Sequence, residues 1–106
     1  MTFSKWNIES ELGYKPITTF WMDFSIAEQY SKAGVIDTFR RAMKEWKHNY
    51  KYLTELVMVL NHKIAQHHRT FPELANLYHQ LFEQAELYAI ENLRGEELQY
   101  YYDTTN

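Results

Sequence analysis

Between Gly34 and Pro72 the chain has no glycine or proline, and its apolar residues return every three or four positions: Ile36, Phe39, Met43, Trp46, Tyr50, then Leu53, Val57, Leu60 and Ile64. That spacing marks the inward face of amphipathic helix. One continuous helix from Val35 to His68 would run roughly 50 Å at 1.5 Å per residue. Asn49 can cap a helix start, so a break or kink near His48–Asn49 is predicted instead. Over residues 53–64 the apolar character spreads beyond one face. Leu56, Met58 and Val59 widen the stripe, leaving Thr54, Glu55, Asn61 and His62 as a narrow polar strip. A helix apolar nearly all round is a central, buried one.

The flanking segments are read from their punctuation. Residues 1–17 show no period; Gly13 and Pro16 interrupt them, and they read as an arm with Phe3, Trp6, Ile8, Leu12 and Tyr14 as anchors. Thr18 to Phe24 is rich in aromatics and favours neither period. Ser25-Ile26-Ala27-Glu28 has the spacing of a capping box, which predicts a short helix from Ser25 to a stop near Gly34. Thr70-Phe71-Pro72-Glu73 repeats the spacing and adds a proline where a first helical turn tolerates it. The helix that follows carries Leu74, Leu77, Tyr78, Leu81, Ala85, Tyr88 and Ala89 on one side and ends at Gly95; Glu96 to Tyr102 adds one or two turns. The expected fold is all-α: an arm at 1–17, then a single domain at 18–106, a small helical bundle with a central antiparallel helix hairpin turning around residues 68–72. So broad an apolar surface on a chain of 106 residues predicts a homodimer.

Composition narrows the chemistry. Three glycines and two prolines leave few turns, in keeping with a few long elements. The absence of cysteine excludes disulfides, thiolate nucleophiles and cysteine zinc sites, and tilts the setting to a reducing, cytoplasmic compartment. The first residues show no charged segment leading into an apolar one, so no secretory leader is expected. The longest apolar run, Leu56 to Leu60, falls far short of the about 20 residues a membrane span needs. The net charge of −3 conceals an asymmetry. Residues 32–69 hold eight Lys or Arg against three acids, whereas residues 70–106 hold one Arg against seven acids. Such blocks pair with each other or face a partner.

No catalytic motif and no phosphate-cradling glycine loop is present, and no cofactor is expected. Glu45 and His48 have the spacing of a di-iron bundle pair, but such sites need the pair twice plus two further Glu. His79 and Glu83 stand one turn apart, and His67-His68 sits at a helix end; all read as solvated histidines rather than a metal site. The acidic residues of the last third read as a solvated helix face. Arg40, Lys44, Lys47 and Lys51 are spaced four, three and four and line one helix face, with Arg41 beside it. This is the candidate partner or nucleic-acid face, since such a row can track phosphates. A helix-turn-helix outline through Gly34 fits poorly. One register turns Arg40 inward, and the other places Asp37 in the core. Interleaved aromatics from Arg40 to Tyr52 could stack unpaired bases, but Trp46 and Tyr50 also continue the core stripe.

Three segments carry a likeness: Thr19-Phe20-Trp21-Met22-Asp23-Phe24-Ser25-Ile26-Ala27, Ile36-Asp37-Thr38-Phe39-Arg40-Arg41-Ala42, and Thr54 through Lys63, followed by Gly95-Glu96-Glu97-Leu98 and Thr104-Thr105. Over residues 18–106 the chain resembles a family of small uncharacterised all-helical proteins encoded on phages and mobile elements of Gram-positive and gut bacteria. In that pattern Phe-Gly closes the first helix; here Tyr30-Ser31 stands in its place. The resemblance transfers no activity and no site residue. It implies a setting in which small accessory proteins bind host or element proteins, some as inhibitors of host systems. The expected function is therefore non-enzymatic protein binding, with nucleic-acid binding through the basic face as the alternative.

Overall fold

A computed structural model of the chain describes residues 17–105, and the fold over them is all-α. The anchors expected in the N-terminal arm lie outside the described residues. Among the described residues five helices follow one another: α1 Ile17–Ala27, α2 Lys32–Trp46, α3 Tyr50–His67, α4 Pro72–Asn92 and α5 Glu96–Thr105. No described helix is long and apolar enough to cross a membrane.

The first helix departs from expectation. It occupies the aromatic-rich stretch and ends at Ala27, so Ser25 lies within it instead of capping it. Phe20 and Phe24, one turn apart, are buried and make one inward face. The next cap is Ser31, whose extended backbone lets Oγ accept from Gly34 N at 3.0 Å. Gly34 is therefore no helix stop; it stands in the first turn of α2. A Cβ there would sit 3.3 Å from the Ala27 carbonyl oxygen, so glycine lets the start of α2 approach the end of α1.

The predicted break falls where Asn49 stands. Its Oδ1 accepts from Lys51 N and Tyr52 N, each at 3.2 Å, which separates α2 from α3. Thr70 does not cap α4. Phe71 holds that position without a side-chain hydrogen bond, and Pro72 occupies the first turn as expected. Gly95, at φ 58°, makes the left-handed turn that starts α5, which is longer than the one or two turns predicted.

The central position of α3 is as predicted. Tyr52, Leu53, Leu56, Val57, Val59 and Leu60 are all buried. Thr54, read as polar strip, is buried as well, its hydroxyl donating to the Tyr50 carbonyl at 2.7 Å. α4 makes the most extensive contact with α3, and α1, α2 and α5 close the remaining sides. The breadth of apolar surface that suggested a second copy is thus covered within one chain. Burying each of these leucines contributes about 1.5–3 kcal/mol. α2 and α4 lie side by side and run the same way. Lys32 meets Glu73 at their starts (2.8 Å), and Lys47 lies over the ring of Tyr88 near the far end (5.5 Å).

Candidate functional site

Three places hold chemistry: a buried charge cluster, the basic face of α2, and a groove between α1 and α2. The cluster was not anticipated. In α3 the inward row Leu56, Leu60 continues at the same spacing to Lys63 and His67. The polar ends of those two side chains must find partners or be excluded from the core. Glu28, just past the end of α1, supplies them. Lys63, at 0% exposure, places Nζ 3.3 Å from Glu28 Oε1 and 2.7 Å from Ser25 Oγ, and 4.0 Å from the centre of the Trp21 ring. His67 Nε2 lies 3.2 Å from both Glu28 oxygens, and the Tyr78 hydroxyl donates to Oε2 at 2.5 Å. The His67 and Tyr78 rings are stacked within 8° of parallel.

This corrects two expectations. Glu28 is the hub of a tertiary cluster, not the second half of a capping box. His67 is buried and paired, not a solvated cation at a helix end. The register of α3 is the signal that could have found the cluster: a lysine and a histidine occupy consecutive core positions.

The cluster's chemistry is that of a clamp. Burial pulls the pKa of Lys63 below the ordinary lysine value, and the Glu28 carboxylate opposes that shift. A serine–lysine nucleophile would need a neutral amine to take the serine proton. Here Nζ donates to Ser25 Oγ and to the Glu28 carboxylate, so Ser25 is its acceptor and not the source of a proton. Burial, then the bond to Glu28, raises the pKa of Tyr78 far above its ordinary value, so its hydroxyl stays a donor. Glu28 thereby ties the α1–α2 turn to α3 and α4.

The basic residues divide. Arg40 and Lys44 are exposed on α2. With Lys47 they line a groove of about 390 Å³ against Gln84 and Tyr88 of α4. Arg41 lies on the other flank, its Nε 3.2 Å from Asp37. Lys51 belongs to the next helix, near the ring of Tyr50. The structure therefore brings Arg40, Lys44 and Lys47 together and separates from them Arg41, on the other flank of α2, and Lys51, beyond the break at Asn49. Among the described residues, no acid of α4 forms an ion pair with Arg40, Lys44 or Lys47.

On the opposite flank of α2 a groove of about 420 Å³ runs beside α1. Ile26 and Tyr30 stand along one side, and Gly34, Thr38 and Ala42 keep it open because they are small. Met22, Ile26 and Tyr30, spaced four apart, are 56%, 53% and 82% exposed. As for the metal candidates, His79 lies 3.6 Å from Glu83 on an exposed face, and His48 meets the Tyr88 hydroxyl at 3.5 Å. Among the described residues no three His, Asp or Glu side chains converge on one point.

No protein-family model, curated protein or solved structure matches the chain.

Proposed function

We propose that the protein is a non-enzymatic, cytoplasmic protein-binding accessory factor, and that its partner docks on the α1–α2 groove. The observation that carries this reading is the exposed row Met22, Ile26 and Tyr30 beside a groove with a floor of small residues. Large apolar side chains grouped on one face, with room for another chain to approach, are features of interaction surfaces. The resemblance to proteins of phages and mobile elements supports the same reading and suggests a host or element protein as the partner. The test is co-purification from lysate, with nuclease treatment, using the natural chain and an Ile26→Asp, Tyr30→Asp variant. A stoichiometric protein that survives nuclease and is absent from the variant is the expected result. A captured protein indifferent to the variant, or capture of nucleic acid alone, would overturn the assignment of this groove.

One observation favours nucleic acid as a second reading. The acidic α4 leaves Arg40, Lys44 and Lys47 open to solvent on one side, as a phosphate-tracking face requires. On this reading Lys44→Glu with Lys47→Glu abolishes binding of a labelled oligonucleotide while the helical circular dichroism is unchanged. Retained binding would sink it.

A further inference from the structure

The basic face does not stand alone. On α4, Gln84 and Tyr88 line the groove beside Lys44 and Lys47. Helical spacing places Leu87 and Glu91 three residues on from these two, so they are their surface neighbours, and Glu83 precedes Leu87 by one turn. All three are exposed, Leu87 at 57%. α2 and α4 are parallel neighbours, joined at one end by Lys32 and Glu73 and at the other by Lys47 and Tyr88. One face of the molecule therefore carries two rows side by side: Arg40 and Lys44 on α2 with Lys47 at its C-cap, and Glu83, Leu87 and Glu91 on α4. Their axes lie about 10 Å apart, as packed helices do.

We infer that this face is a self-complementary interface whose occupant is a second copy of the chain. A two-fold axis along the helices, midway between the rows, sets each basic row over the partner's acidic row, so that Leu87 lies among the facing charges and the two copies of Tyr88, which stands between the rows, come near the axis. A two-fold across the helices would set like charge on like, so the charge pattern selects one axis. The same pattern suits a second copy better than a polyanion, because a phosphate chain following α2 would run with Glu83 and Glu91 one helix away. The face measures roughly 20 by 25 Å from the helix lengths and spacing, which is small for a specific interface. The dimer is accordingly weak and sensitive to salt. It leaves the α1–α2 groove uncovered and does not depend on what that groove binds.

Sedimentation velocity on the full chain tests this. The expected mass approaches twice 12.9 kDa at low salt and falls to 12.9 kDa as salt is raised. Lys44→Glu with Lys47→Glu weakens association roughly tenfold or more, and so does Glu83→Lys with Glu91→Lys, because each sets like charges together. Mixing the two variants restores the dimer as a heterodimer, which also shows that both are folded. A natural chain that stays at 12.9 kDa at every concentration overturns the proposal. So does a mixture that remains monomeric, or an oligonucleotide that binds this face of a chain sedimenting as a monomer.

Discussion

From Tyr52 to Leu60, α3 is enclosed by carbon: Phe20 and Trp46 meet the Tyr52 ring edge-on, and the leucines and valines fill the rest. Further along the same helix Lys63 and His67 are buried as well, but among one carboxylate, two hydroxyls and three aromatic rings. The two regions differ in what a small change does to them. An apolar site that loses a methyl group loses packing in proportion. A charged site that loses its hub leaves its other members buried without partners, and the penalty exceeds whatever the intact cluster contributed.

The sharpest way to break the comparison is at Glu28. Glu28→Ala is expected to destabilise the chain by about 3–5 kcal/mol in denaturant unfolding, since Lys63 and His67 stay buried. Adding Lys63→Met should recover part of that loss. Leu60→Ala, in the apolar region, should lose about 2–5 kcal/mol with no such rescue from Lys63→Met. If Glu28→Ala and Lys63→Met are simply additive, the cluster is not a unit.

A pH titration separates the regions more gently. Tyr78 donates to Glu28 and Tyr101 to Glu86 (3.1 Å), and burial raises both phenols above their ordinary value of 10. A group held protonated in the fold contributes stability that is whole below its unfolded pKa and is lost as pH climbs above it. Each phenol therefore costs up to about 1.4 kcal/mol per pH unit above 10. Tyrosinate absorbance from these two should appear only together with loss of helical circular dichroism, and Tyr78→Phe should remove part of the alkaline loss. Ionisation of all nine tyrosines before unfolding would contradict the burial.

The smallest effects concern the turns. Asn49→Ala removes the acceptor for two backbone N–H groups and should cost about 1 kcal/mol in thermal unfolding. Thr70→Ala should change little, because Phe71 holds the cap position and makes no side-chain bond. Equal losses at the two sites would mean that Thr70 caps α4 in solution after all.

The helices from Gly34 onward were legible because each obeys a local rule. Apolar spacing set their faces, Asn49 divided α2 from α3, and Pro72 opened α4; that helix stops at Asn92, three residues short of the Gly95 expected to end it. Ser25 and Glu28 met the same kind of rule and were misread by it. A capping box is worth about 1 kcal/mol, and it gives way when a buried lysine and histidine elsewhere in the chain need an oxygen. The basic face was legible as a row of charges, but its extent was not. Whether Lys51 joins Lys47 depends on the angle between two helices across Asn49.

Periodicity, composition and charge blocks determined by themselves that this chain is helical, that residues 53–64 run through its centre, and which helix carries the exposed cations. Each of these follows from contacts within a few residues or from sums over many. Only the tertiary structure decided that Glu28 meets Lys63 and His67, that Lys32 of α2 meets Glu73 of α4, and that the apolar surface of α3 is closed by its own chain. Those outcomes join residues some forty positions apart, where spacing along the sequence carries no information and the free energy of burying a charge selects the partner.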